Sequence, residues 1–280
     1  MSLIKTTTTL IIFCLFITTL AYAQTAEDYL KAGNTKYELK DYKGAIKYYN
    51  KAIELNPNYA DAYLHRGVAK RKTIEFIKKH PRGYKGIIQD YNKAIELNPN
   101  YAMAYSYRGD AKSNLQDYRG AIQDLNKAIE LNPNNAKAYN LRGYAKDNLK
   151  DYKGAIQDYN KAIELNPKHS TYYNRGTAKS EQKDYRGAIQ DFSKAIELNP
   201  KHSKAYYNRG ITKDNLQDYS GAIQDYSKAI ELDPNYAGAY YGRGLAKILS
   251  GQKDDGCLDL SKAGELGYAE AYEAIKEYCN

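Results

Sequence analysis

The sequence predicts an all-α solenoid of helix-turn-helix hairpins, and three observations predict it. Six of the seven prolines close one phrase, Lys-Ala-Ile-Glu-Leu-Asn/Asp-Pro, at Pro57, Pro99, Pro133, Pro167, Pro200 and Pro234, with steps of 42, 34, 34, 33 and 34 residues. Inside each step, small and aromatic residues recur every three or four positions, which is a helical period. Composition agrees: 42% hydrophobic residues, 27% charged and 31 tyrosines are ample for a continuous core. A unit of this size buries its apolar face only against its neighbours, so function must be sought on a surface and not in a central pocket.

At the N-terminus, Lys5 precedes an apolar stretch from Leu10 to Leu20, and Ala21-Tyr22-Ala23 supplies small residues for a signal peptidase. Residues 1–23 therefore read as a signal peptide, with cleavage near Ala23 and an exported, periplasmic or secreted, chain from Gln24. The apolar stretch is short for a membrane span, which takes about 20 residues. The mature chain would carry 41 Lys+Arg against 33 Asp+Glu, a net charge of +8, because Lys5 is removed. Most lysines recur beside Glu or Asp at fixed repeat positions, so they form a mixed-sign solvated surface, which argues against nucleic acid as the partner.

Residues 136–169 show one full unit. Tyr139, Gly143, Ala145 and Leu149 mark a first helix, A; Asp151-Tyr152 and Gly154 interrupt and restart the chain. Ala155, Ile156, Tyr159, Ala162, Ile163 and Leu165 mark a second, B, ended by Pro167. Gly143, Ala155 and Ala162 let the two helices approach to about 8–10 Å, with the tyrosines filling the space around them. This joint recurrence of small, aromatic and proline positions, seen again in Gly109, Ala121, Ala128 and Pro133, resembles the tetratricopeptide repeat (TPR) family.

The resemblance covers residues 26–270 as seven units, near 26–59, 60–101, 102–135, 136–169, 170–202, 203–236 and 237–270. The domain expected is a seven-repeat solenoid over 24–267, followed by a C-terminal capping helix over 268–280. Family membership implies an α-α superhelix whose concave face is lined by the A helices, and a usual role in holding peptides or partner proteins. One departure is systematic: Lys36, Lys70, Lys112, Lys146, Lys179, Lys213 and Lys247 stand where the family's first helix often has an aromatic. The basic positions by which some members grip a terminal carboxylate are mostly filled by Leu30, Met103, Tyr107 and Gly242, so that clamp is not expected.

Charged residues inside the pattern have a structural reading first. Arg108, Arg142, Arg175, Arg209 and Arg243 are each followed sixteen residues later by an aspartate, and Arg66 keeps Asp90 across an insertion. Repeat 1 lacks both members, with Ala32 and Tyr48 instead, so the spacing predicts ion pairs across the hairpin. Seventeen of the 31 tyrosines fall at three framework positions and read as core. Off that framework, on the helix A face, stand Tyr107, Tyr144, Tyr173, Tyr207 and Tyr241, beside Asn140, Asn174 and Asn208. Aromatic surface with amide donors and acceptors suits an extended peptide; wet surface is the alternative.

Repeat 2 carries eight extra residues between Lys70 and Tyr84, expected to lengthen helix A by about two turns before Pro81 and to project a basic knob. Its candidate contacts are Arg71, Lys72, Lys78, Lys79 and Arg82. Near the C-terminus, Cys257 and Cys279 lie ten to twelve residues either side of Gly267. An antiparallel hairpin puts them level, so a disulfide is a candidate in an exported chain, two packed thiols being the alternative. The four histidines are scattered, and no phosphate loop, nucleophile elbow or metal-spaced set occurs. No catalytic residue, cofactor or metal is therefore expected. The reading is a non-catalytic protein- or peptide-binding scaffold, with an envelope-associated structural protein touching anionic lipid or polysaccharide as the alternative.

Overall fold

A computed structural model describes residues 25–75 and 81–279; the predicted signal segment lies outside them. Among the described residues the chain is all α: α1 (Ala26–Glu38), α2 (Tyr42–Leu55), α3 (Ala60–Glu75), α4 (Pro81–Leu97), α5 (Ala102–Asn114), α6 (Tyr118–Leu131), α7 (Ala136–Asn148), α8 (Tyr152–Leu165), α9 (His169–Glu181), α10 (Tyr185–Leu198), α11 (Ser203–Asp214), α12 (Tyr219–Leu232), α13 (Ala237–Leu249), α14 (Lys253–Glu265) and α15 (Glu270–Tyr278). Odd-numbered helices to α13 are the A helices and even-numbered ones the B helices. The chain forms two compact units that part after Asp117, in the A–B turn of the third predicted repeat.

In the first unit, α1 to α5 pack each on the next, and α1 also touches α3. In the second, α6 to α15 do the same, with A-to-A contacts between α7 and α9, α9 and α11, and α11 and α13. The B helices supply the core. Tyr49, Tyr91, Tyr159, Phe192 and Tyr226 are almost completely buried, flanked in their helices by buried alanines. Each ring lies against an A-helix glycine: a Cβ at Gly143 would sit 2.7 Å from Tyr159 Cε1, and one at Gly176 2.9 Å from Phe192 Cε1. Glycine is therefore required there for close approach, not for flexibility.

The A–B turn has a chemistry that the glycine pattern does not announce. At the end of α1, Lys40 has φ 61°, its N–H donates to the Tyr37 carbonyl at 2.9 Å, and the Asp41 N–H donates to the Lys36 carbonyl at 2.9 Å. This is a Schellman ending built without glycine. Asp41 then caps α2, its carboxylate accepting from the Gly44 N–H at 2.9 Å. Gln116, Lys150, Lys183 and Gln217 hold the same left-handed backbone. Left-handed φ is costly for a residue with a Cβ, so Lys183→Gly is expected to stabilise the protein by about 1 kcal/mol, read as a higher urea midpoint.

The B–A turns follow from Asn-Pro. Asn56 and Asn166 are extended, as the residue before proline prefers. The Asn56 side chain accepts from the Asn58 N–H at 3.0 Å, and Asn98, Asn132, Asn199 and Asp233 repeat that turn.

Five of the expected Arg–Asp pairs form within the units, and each gains a third member. Asp90, Asp158, Asp191, Asp225 and Asp259 are buried and receive Arg66, Arg142, Arg175, Arg209 and Arg243 at 2.5–2.7 Å. Their second oxygens take Lys70, Lys146, Lys179, Lys213 and Lys247 at 2.8 Å. This accounts for the lysine that replaces the family's aromatic: it stands four residues after the arginine, on the same helix face. In repeat 1, which has no such aspartate, Lys36 turns to Asp41 at 3.5 Å. The arginine's other nitrogen reaches the preceding B helix, as Arg175 Nη1 donates to Asn160 at 2.7 Å. Its guanidinium also lies over a framework tyrosine, 5.5 Å from the Tyr172 centroid.

In repeat 2 the expected two-turn extension of helix A falls largely on residues 76–80, outside the described residues. α3 runs three residues past the point where the other full A helices stop, to Glu75, and α4 begins three residues before the framework Tyr84, at Pro81 itself. Proline lacks an N–H and has a helical φ, so it opens a helix better than it closes one. Lys78 and Lys79 lie outside the described residues.

Candidate functional site

On each A helix the residues at the fifth, ninth and twelfth positions share one face, termed its inner face. In the first unit, residues on and beside these faces line an open cavity of about 310 Å³: Asn34, Tyr37, Glu38, Leu64, His65, Val68, Met103 and Tyr107. All eight come from α1, α3 and α5. Leu64 is buried, Met103 is half exposed, and Tyr107 stacks on the buried Tyr91 at 5.9 Å. The polar members are held in place from behind. Asn34 accepts from the Tyr49 hydroxyl at 2.9 Å, and His65 Nδ1 lies 2.8 Å from the Asp61 carbonyl. The result is an apolar floor of Leu64, Val68 and Met103 rimmed by amide, imidazole, phenol and carboxylate groups, which can seat an alternating apolar and polar chain.

Of the sequence candidates, Tyr107 alone lies in this cavity. Tyr173 and Asn208 satisfy each other, the amide donating to the hydroxyl at 3.0 Å between α9 and α11. The Tyr173 ring also stands edge-on to His202 at 4.8 Å. Tyr207 fills the space between repeats, 4.7 Å from Tyr236 and 5.8 Å from Tyr226. Tyr241 lies 4.7 Å from Tyr268, beside the start of α15. Asn174 is half-buried on α9. Asn140 and Tyr144 share the inner face of α7, with Tyr144 43% exposed and edge-on to Tyr118 at 6.5 Å. The cavity residues other than Tyr107 were missed because they are chemically mixed. Carrying the register of Asn140 and Tyr144 back to repeats 1 and 2 reaches Leu64, Asn34 and Val68.

The basic candidates are reduced. Arg71 pairs with the buried Asp110 of α5 at 2.6 Å, and so belongs to the packing of α3 on α5. Lys72, in the same turn of α3, lowers the Tyr37 phenol against the upward push of burial. Arg82 follows Pro81 in the first turn of α4. Cys257 in α14 and Cys279 after α15 form a disulfide, with Cα atoms 5.8 Å apart. No group of three or more metal-ligating side chains occurs among the described residues.

Burial perturbs two acids on the inner face. The carboxyls of Asp147 and Asp214 are both pushed up to about 6 by desolvation; Glu181 adds to the effect on Asp147, and the Tyr226 hydroxyl, donating at 2.5 Å, opposes it on Asp214.

Comparison with known proteins agrees with the geometry. A TPR repeat model matches residues 33–72, 109–147 and 215–251; tetratricopeptide repeat models match 136–169 and 170–202, and 90–123 and 192–224. Among solved structures, YrrB, a TPR protein with an unusual peptide-binding site, is 25% identical, with a TM-score of 0.59 over 66% of this chain and 97% of that one. MamA is 29% identical, with a TM-score of 0.55 over 59% of this chain and 96% of that one. Cut9–Hcn1, at 19% identity and a TM-score of 0.68 over 81% of this chain and 44% of that one, shows the fold alone. An uncharacterised protein of Methanocaldococcus jannaschii is 46% identical over 46 residues, 16% of this chain; the match spans about half, 54%, of that protein's length. Matched repeats running through most of the helical chain, on a fold shared with solved TPR proteins, place this protein in the tetratricopeptide repeat family.

Proposed function

We propose that this protein is an exported, non-catalytic scaffold that holds an extended segment of a partner protein against its A-helix faces. The observation that carries the reading is the first-unit cavity, whose lining comes entirely from A helices and combines an apolar floor with fixed polar groups. The TPR fold supports a protein-interaction role, and the peptide-binding site of YrrB supports a peptide as the form in which the partner is met. Export rests on Lys5, the Leu10–Leu20 stretch and Ala21-Tyr22-Ala23. A contact with anionic lipid or polysaccharide has less to stand on, since Arg71 is committed to Asp110.

The test uses peptides selected from a randomised nonapeptide display library on the whole protein. Met103→Asp places a charge on the cavity floor at a half-exposed position in the first turn of α5, where an acid suits the helix dipole. Selected peptides are expected to bind this variant at least about tenfold more weakly, with its urea midpoint unchanged. Unchanged affinity would remove the cavity from the account. For export, the N-terminal residue of the protein recovered outside the cytoplasm is expected to be Gln24; an intact Met1 there would contradict cleavage.

A further inference from the structure

Repeat 4 leaves three buried polar groups without a partner in one place. On α7, Asn140, Tyr144 and Asp147 follow at intervals that put them on one helix face. Asn140 Oδ1 and Asp147 Oδ1 are shielded from solvent and accept no hydrogen bond, and the hydroxyl of Tyr159, whose side chain is wholly buried, has no partner either. The Tyr159 ring passes under Gly143, its Cζ 3.1 Å from where a Cβ would stand. That notch lies between Asn140 and Asp147 on the helix, so the phenol end is brought to the same face.

At this position the hydroxyl is bonded in two repeats and unpartnered in Tyr91 as in Tyr159. Tyr226 donates to Asp214 at 2.5 Å, and Asp214 is the counterpart of Asp147; Tyr49 donates to Asn34 at 2.9 Å. In repeat 4 the corresponding bond is not made, and the adjacent cation Lys146 is committed to Asp158 at 2.8 Å. Buried acceptors left open cost free energy, so a donor from outside the chain that reaches them is stabilising. Two acceptors, one of them a carboxylate, a phenol and the half-exposed ring of Tyr144 call for a donor-rich cation that can also lie on an aromatic face. The arginine guanidinium carries five N–H donors in a planar fork and stacks on aromatic rings.

We infer that the inner face of α7, with Asn140, Tyr144, Asp147 and Tyr159, is a subsite for one arginine side chain of a bound extended peptide. The inference rests on reading A-helix faces as peptide surfaces, and it adds a partner of stated chemistry in the second unit. Electrostatics supports it. The ionisable groups that interact with Asp147 from α8 and α9 are the phenols Tyr152 and Tyr159 and the carboxylate Glu181, and none of these three is cationic. With its carboxyl pushed up to about 6 by burial and then by Glu181, Asp147 is ionised at neutral pH only at a cost that an incoming cation relieves.

The probe is the acetylated, amidated heptapeptide Ser-Ala-Ser-Arg-Ser-Ala-Ser, compared by calorimetry with its Gln and Lys counterparts on the full chain. The Arg peptide is expected to bind about tenfold tighter than the Gln peptide at about pH 7, the preference fading towards about pH 5 as Asp147 takes up a proton. Asp147→Asn is expected to abolish the preference, and Tyr159→Phe to reduce it. The same Asp147→Asn protein should unfold at a higher temperature near neutral pH and gain less near pH 4. The native carboxyl binds its proton more tightly than the unfolded one, so stability falls as pH rises from about 4 to about 6, and the amide removes that loss.

A merely structural Asp147 would show destabilisation instead. Equal affinities for the Arg and Gln peptides, binding of neither, or a preference that survives Asp147→Asn overturns the inference; a Lys peptide bound as tightly as Arg replaces guanidinium recognition by simple charge and overturns it in that form. The two readings fail separately. If display-selected peptides remain sensitive to Met103→Asp while the Arg preference is absent, the arginine subsite falls and the scaffold reading stands. If the selected peptides ignore the A-helix faces altogether, both fall.

Discussion

Asp191→Ala is expected to destabilise the protein by about 3 kcal/mol or more, whereas replacing Arg175, Lys179 and Asp191 together by Met, Met and Leu costs less. The aspartate is 4% exposed and takes Arg175 at 2.5 Å and Lys179 at 2.8 Å, while the cations are 17% and 19% exposed. Desolvating three charges is expensive, so the triad adds little net stability over apolar residues of the same shape. Removing one member leaves the others unpaired and still shielded from water. Arg175 also donates to Asn160 in the preceding B helix and lies over Tyr172, so its displacement loosens the joint between repeats as well as the hairpin. Urea unfolding of the single and triple variants decides the matter; equal costs would mean that the triad is worth its Coulomb attraction.

The second large effect is at the C-terminus. Cys257→Ser with Cys279→Ser is expected to cost about 3 kcal/mol in the chain-entropy picture, since the bridge closes a separation of 22 residues. The loss should be local. α15 is a short helix that buries Ala271 and Ala274 and lays Tyr272 over Gly264, too little to hold a terminal helix unaided. Amide exchange should therefore rise over residues 268–279 and hardly change in α7 to α11. A uniform rise across the second unit would show instead that the end cap is coupled to the whole stack. Free-thiol titration of the denatured, unreduced protein should find neither Cys257 nor Cys279.

The solenoid was legible because its determinants are local and repeated: Asn-Pro stops, a helix period, and small residues where rings must pass. Sixteen-residue Arg–Asp spacing was legible for the same reason, since it spans one turn and returns along the partner helix. What escaped obeys rules of a different kind. Lys179 and its counterparts were visible only as a departure from a family pattern, although four residues after an arginine is the same face. Lys40, Lys150 and Lys183 adopt a left-handed backbone that glycine would mark in sequence; among the described residues Gly251 does so in the last A–B turn and Gly267 before α15.

The groove candidates follow residue type, and the structure sorts them: Tyr107 lines the cavity, Asn140 and Tyr144 share one face of α7, and others pack between repeats. Tyr207 and Tyr241 are aromatic because rings fill the gap between repeats, and Tyr173 and Asn208 form a bond that looks, in sequence, like two unpaired polar groups. Register would have served better. The helix positions of Asn140 and Tyr144, carried back to α1 and α3, fall on the cavity residues Asn34, Leu64 and Val68. The gap at Tyr159 has no sequence signature, since Tyr226 has the same type at the same position and is satisfied.

The central claim is that the A-helix faces are where a partner is held. Its most direct test is hydrogen–deuterium exchange of the full chain with and without a saturating display-selected peptide. The account predicts slowed exchange in the A helices, in α1, α3 and α5 around Leu64 and Met103 or in α7 around Tyr144, with the B helices unchanged. Protection confined to the B helices α4, α6, α8 and α10 would contradict it.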